Sequence, residues 1–212
     1  MIPVDHGGGS FAALVNREMR TRFHRVTLAK STDCFFECPC IIERHAMTSQ
    51  TIELVERVRQ RLNHQDNPVR IAGPVSEASI AQAEEALDCT FPPTYRSFLR
   101  TWGGIALPTH LGIVHDFVGV APGDGDGDVV ARTLRARQER KLPEHLVVVG
   151  MGAQYQEWFC LDVSKTLPNG ENPVLMYDAR DNALDQQFYD DFGQMLEEVM
   201  GFVADSLEQP LD

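Results

Sequence analysis

Residues 76–104 constrain the fold of this chain more than any other stretch, because two adjacent prolines, Pro92 and Pro93, separate two helical periods. Proline cannot continue a helix but suits the first turn of one. Before the pair, Ile80, Ala83 and Leu87 share one face of a helix. Ser76 stands at its N-cap, where a hydroxyl accepts from an otherwise orphan amide, and Val75 and Ile80 have the spacing of a hydrophobic staple. After the pair, Tyr95, Phe98, Leu99 and Trp102 recur at i, i+3, i+4 and i+7. Gly103 and Gly104 then end the run, since glycine adopts the left-handed conformation that terminates helices. The expectation is a helical pair with a fixed corner.

Upstream, Ile52, Val55, Val58 and Leu62 predict an amphipathic helix beginning near Thr48. Downstream the period changes. The runs 111–120 (LGIVHDFVGV), 145–151 (HLVVVGM), 157–162 (EWFCLD) and 173–178 (PVLMYD) are short, rich in β-branched and aromatic residues, and bounded by turn residues. A helix is expected over Val129–Arg140, between the first two. A closing helix carries Phe192, Met195, Leu196, Val199, Val203 and Leu207 on one stripe, with Asp191 and Gln194 as a variant capping box. The strands are too closely linked for repeated βαβ crossovers. The fold class is therefore α+β, a mostly antiparallel sheet packed with helices.

The first 46 residues differ from the rest. They hold six basic and five acidic side chains, which leaves −13 of the total −12 on residues 47–212. They show little apolar period, and they read as a flexible extension or as a start assigned upstream of Met47. Residues 47–212 then form one domain with its core over 70–205. Cys34, Cys38 and Cys40 with His45 or His24 are the alternative, a metal site, but their spacing lacks the second ligand pair that zinc sites favour. With Cys89 and Cys160 they make five cysteines in no even framework, the pattern of reduced thiols in a cytoplasmic protein. No apolar run is long enough to span a membrane, and no secretion signal opens the chain. The negative charge repels phosphate backbones, which argues against nucleic acid and for a cationic protein partner.

The ordered set Ser76, Ile80, Leu87, Pro92, Tyr95, Phe98, Leu99, Trp102, Gly103 and Gly104 resembles the signature of the SUKH superfamily. That group includes the Smi/Knr cell-wall regulators of yeast and many bacterial immunity proteins. Later pieces agree in order: Val129-Val130, Thr133, Arg137, Leu142-Pro143, the strand from His145, Leu161-Asp162, Pro173-Val174, and Phe192 with Leu196. Two positions depart from the pattern. Asp88 stands where the family has Gly after the first helix, and Trp102 where an Asn precedes the glycine pair. The resemblance implies binding rather than catalysis, with no cofactor: an antidote that occupies the active site of a cognate toxin, often a nuclease or a nucleic-acid deaminase. The alternative within the family is a regulatory adaptor with no toxin partner.

The candidate contact residues follow from charge and from aromatic content. In 121–128 (APGDGDGD), Asp124, Asp126 and Asp128 stand at positions 1, 3 and 5 of a calcium loop. Val129 replaces the required glycine and Arg135 the chelating Glu, so an EF-hand is rejected. A solvated loop, a looser cation site and an acidic contact for a basic toxin stay open. From Asp178 to Asp212, ten acidic residues stand against Arg180 alone, with Asp178, Asp181 and Asp185 the candidate contacts. Surface ion pairs contribute about 0–1 kcal/mol each, so buried anchors are needed as well. Tyr155 and Trp158, beside Glu157, are the candidates, and a core role is the other reading of Trp158. Cys160 sits in an alternating strand, His110, His115 and His145 are scattered, and no Gly-x-Ser-x-Gly or phosphate loop is present. Enzyme activity is not expected.

Overall fold

The computed structural model describes residues 47–63, 68–109, 111–120, 127–152 and 156–208. All of these lie in one compact unit, Ile42–Asp212. The expectations for residues 1–46, His110, Asp124, Asp126 and Tyr155 fall outside the described residues.

The first described helix, α1 (Ser49–Leu62), starts at Thr48, whose hydroxyl accepts from the Thr51 amide at 3.1 Å. Its buried stripe is Thr51, Val55, Val58 and Leu62 rather than one containing Ile52, which is 41% exposed. The stripe is rotated because the Thr51 hydroxyl is satisfied by Thr48 Oγ1 at 2.8 Å, so a threonine can be buried without an unmet polar group.

Helices α2 (Glu77–Leu87) and α3 (Pro93–Thr101) form the predicted corner. Ser76 Oγ accepts from the Ser79 amide at 3.1 Å, and Ile80, Ala83 and Leu87 are buried. At the far end Asp88 takes φ 51°, the left-handed region. Its amide bonds to Glu85 O and the Cys89 amide to Glu84 O, the Schellman arrangement. This is one of the two positions where the chain departs from the pattern it resembles. Asp88→Gly is expected to hold or raise stability, by up to about 1 kcal/mol, because a Cβ is disfavoured in that conformation. A lowered thermal midpoint would count against this account.

From α3, Tyr95 and Phe98 enter the core against Phe192, with ring centroids 4.8 and 4.9 Å apart. The sheet is a seven-stranded meander in the order β1 (Arg70–Ile71), β2 (Ile105–Ala106), β3 (Val114–Phe117), β4 (Leu146–Gly152), β5 (Glu157–Asp162), β6 (Val174–Asp178), β7 (Ala183–Tyr189). Every neighbouring pair is antiparallel, as the α+β reading requires. Helix α4 (Val129–Arg140) lies between β3 and β4 in sequence, and α5 (Phe192–Glu208) closes the chain. The Gln194 amide bonds to Asp191 Oδ1 at 2.8 Å, while Gln194 Oε1 accepts from the Asp190 amide, one residue earlier than a standard capping box.

The two helices cover opposite faces of the sheet. Trp158 and Tyr177 stack across β5 and β6, and Tyr177 Oη donates to Arg140 O, which places both on the α4 side. The next residue, Phe159, points the other way: a Cβ built on its strand partner Gly150 would lie 3.2 Å from Phe159 Cβ and 3.7 Å from Met195 Cε of α5. Strand β4 lies between these layers and is buried at all seven positions, which explains its unbroken apolar reading.

Candidate functional site

Antiparallel pairing collects acidic side chains at one end of the sheet. Glu157, the first residue of β5, is the direct cross-strand partner of Asp178, the last of β6, and Asp178 is in turn paired with Ala183 of β7. The β6–β7 hairpin turns through Asn182 at φ 50°, a conformation asparagine tolerates better than most residues. Asp178 Oδ1 stabilises that turn by accepting from the amides of Arg180 at 2.8 Å and Asp181 at 3.2 Å. Asp181 and Asp185 are exposed, while Glu157 and Asp178 are half-buried. The one guanidinium here, on Arg180, is held by Gln156 Oε1 at 2.9 Å.

Two like charges directly opposite each other on adjacent strands are destabilising. The Glu157–Asp178 pairing therefore carries a local cost, which the turn held by Asp178 offsets in part, and such a conflict is the kind expected at a functional surface. On the opposite face of the edge strand β7, Leu184, the cross-strand partner of Tyr177, is 47% exposed.

The other candidate contacts fall elsewhere. Asp128 is 6% exposed, and its Oδ1 accepts from the Ala131 amide at 2.8 Å. Its carboxylate is the N-cap of α4 rather than part of a contact surface. Trp158 is 7% exposed, its ring 5.8 Å from that of Tyr177 and nearly parallel to it. Of the two readings of Trp158, the packed one holds, and it does not project as an anchor. Glu157, Asp178, Asp181 and Asp185 are thus brought together, and Asp128 and Trp158 are not. Leu184 escaped the sequence reading because β7, with Asp185, Gln186 and Gln187 at its centre, has no clear apolar alternation.

The signature residues are scaffold. Ile80, Leu87, Tyr95, Phe98, Leu99 and Trp102 are buried. Pro92 precedes the first turn of α3, Gly103 has φ +68°, and Gly104 packs on Gly119. Burial pushes the Cys89 thiol up to about 11, with the Glu84 carboxylate adding to the effect, and burial raises Cys160 further. Neither is a thiolate at neutral pH. Among the described residues, no three His, Cys, Asp or Glu side chains are grouped to hold a metal, and no helix is long and apolar enough to cross a membrane.

No curated protein shows a significant match to the chain. The family model does: the SMI1 / KNR4 family (SUKH-1) matches residues 74–198, from just before α2 into α5, and includes the acidic hairpin. With that match over more than half its length, and with the corner of α2 and α3 and the antiparallel sheet in place, the chain belongs to the SMI1 / KNR4 family (SUKH-1).

Proposed function

We propose that this protein is an immunity protein, an antitoxin that binds a cognate polymorphic or contact-delivered bacterial toxin and masks its active site. The toxin is a nuclease or a nucleic-acid deaminase with a basic surface, and the encounter takes place in the cytoplasm. Family membership supports the class. The observation that carries the reading is the convergence of Glu157, Asp178, Asp181 and Asp185 at one end of the sheet, with the exposed Leu184 on the other face of the edge strand β7. A surface that expects nucleic-acid phosphates presents cations, and a clustered carboxylate face is complementary to it.

Charge and apolar area have separate roles. Nanomolar affinity requires about 12 kcal/mol, which exposed ion pairs cannot supply at about 0–1 kcal/mol each. The carboxylates therefore act mainly on the encounter rate, raising it from about 10⁵–10⁶ towards 10⁸ M⁻¹s⁻¹, and desolvated side chains such as Leu184 set the lifetime. Reversing Asp181 and Asp185 to Lys is expected to slow association by about tenfold at low salt and to flatten its salt dependence, with dissociation little changed. Stopped-flow mixing with the toxin checks this, and an unaltered association rate would exclude the electrostatic role. Co-expression with the product of the neighbouring toxin gene, scored for survival, tests the function itself. Cells that die despite soluble protein would overturn it.

A further inference from the structure

On a chain of this acidity, four arginines gather in one place. A groove of about 760 Å³ runs between α4 and the β1–β3 end of the sheet. Its charged lining is Arg70 from β1, Arg132, Arg135 and Arg140 from α4, and only two acids, Asp116 and Glu139. Four of the 13 Lys and Arg residues in 47–212 thus face one concavity, for a formal +2 in a region of −13. On α4 the spacing explains the alignment, since positions 132, 135, 139 and 140 lie on one side of a helix.

We propose that this groove binds an extended acidic segment of a partner protein. The inference rests on residues separate from the acidic hairpin and does not depend on the toxin reading. All four cations are arginines, whose planar forks match carboxylates in a bidentate way. One wall is β1, the edge strand opposite β7 and only two residues long, so an extended chain has an edge to lie along. Ile71, Ala106 and Ala136 supply apolar contact for the side chains between the acids.

The same features disfavour phosphate ligands. A polynucleotide would run beyond the groove over the acidic remainder, which acts across a Debye length of about 8 Å at physiological salt. A nucleotide needs an aromatic face, but the Trp158 ring in the groove is 7% exposed and stacked on Tyr177. Phosphate sites favour helix N-termini, and at that of α4 the Asp128 carboxylate already accepts from the Ala131 amide.

The test is calorimetric titration of the full chain with a synthetic octapeptide of alternating Glu and Val, with the Gln-Val peptide, an eight-residue oligothymidylate and ATP as parallel arms. Saturable binding of the Glu-Val peptide is expected at low salt, weakened at high salt, with no binding of the Gln-Val peptide. Arg135→Glu with Arg140→Glu is expected to weaken it by about tenfold or more, the loss expected on removing charge-assisted hydrogen bonds. The Asp181→Lys, Asp185→Lys protein should bind the peptide at least as well as the parent chain. Because both arginines are exposed, the melting curve of the groove variant should be unchanged, and Arg135→Gln is the milder second variant if it is not. Three results would overturn the proposal: no saturable binding of the Glu-Val peptide, binding indifferent to Arg135 and Arg140, or tighter arginine-dependent binding of the oligothymidylate or ATP.

Discussion

Gly119→Ala is expected to leave almost no folded protein, although it adds a single methyl group. A Cβ built at Gly119 would lie 1.4 Å from the carbonyl oxygen of Gly103, 2.4 Å from its carbonyl carbon and 2.9 Å from the Cα of Gly104. All three are backbone atoms, so no rotamer change relieves the overlap. The same crossing continues through Gly103, where a Cβ would lie 1.9 Å from Gly73 O and would also have to accept φ +68°. Hydrogen bonds pin the contact in place: the Val120 amide donates to Gly103 O at 3.2 Å, the Gly73 amide to Trp102 O at 2.9 Å, and the Val129 amide to Gly119 O at 2.7 Å. These bonds join the segment after β1, the end of α3, the segment after β3 and the first turn of α4. Separating them to admit a methyl group disturbs all four, so the loss should exceed the usual range for overpacking and reach about 4 kcal/mol or more. Denaturant midpoints check this. Gly201→Ala is the matched control, in the interior of α5 with no atom within 4 Å of its Cβ position, and there alanine should stabilise by about 0.5–1 kcal/mol. A Gly119→Ala midpoint close to that of the parent chain would remove the backbone-crossing account.

What was legible in the sequence is what local physics decides. The corner of α2 and α3 was readable because cap, stripe, proline and glycine agree within thirty residues or so. Strands β4, β5 and β6 were readable because burial on both faces leaves continuous apolar runs. Strands β1 and β2 have two residues each and exist only through pairing, so they carry no period at all. Gly119 follows the same logic, because its neighbour Gly103 is remote in sequence and only the fold brings them together. Asp128 is a different case. A carboxylate directly before an expected helix is an N-cap signal, but the Asp-Gly repeat around it drew attention to a solvated loop, a looser cation site or an acidic contact instead. At the candidate site, the Asp178, Asp181 and Asp185 series was visible as composition. Its pairing with Glu157 and the exposure of Leu184 required the strand register.

The least legible contact sets up the second large effect. Helix α3 begins after Pro92, which has no side chain able to cap it, so the helix that carries Tyr95 and Phe98 into the core has no local acceptor for its first amides. The acceptor arrives from 77 positions away. Glu171, 1% exposed in the loop between β5 and β6, takes the Thr94 amide at 2.9 Å and the Thr94 hydroxyl at 2.6 Å. A carboxylate there also meets the positive end of the helix dipole. The loop is shaped to deliver it, with Gly170 at φ +77°, the Glu171 amide on Asn169 Oδ1 at 3.2 Å and Glu171 O accepting from the Leu167 amide at 2.8 Å. Glu171→Ala leaves two buried donors without an acceptor and is expected to cost about 3 kcal/mol. Glu171→Gln keeps one acceptor oxygen and gives up the charge, so its cost should be nearer 1–2 kcal/mol. Thr94→Val, which removes one donor and keeps the amide bond, should fall in the same lower range. The order matters more than the values, because a residue that merely filled space would make the near-isosteric Gln harmless and Ala costly only through a cavity. Thermal unfolding of the three variants decides between the two. If Gln matches the parent chain and Thr94→Val has no effect, the carboxylate is not holding α3, and the orientation of the Tyr95–Phe98–Phe192 cluster must come from packing alone.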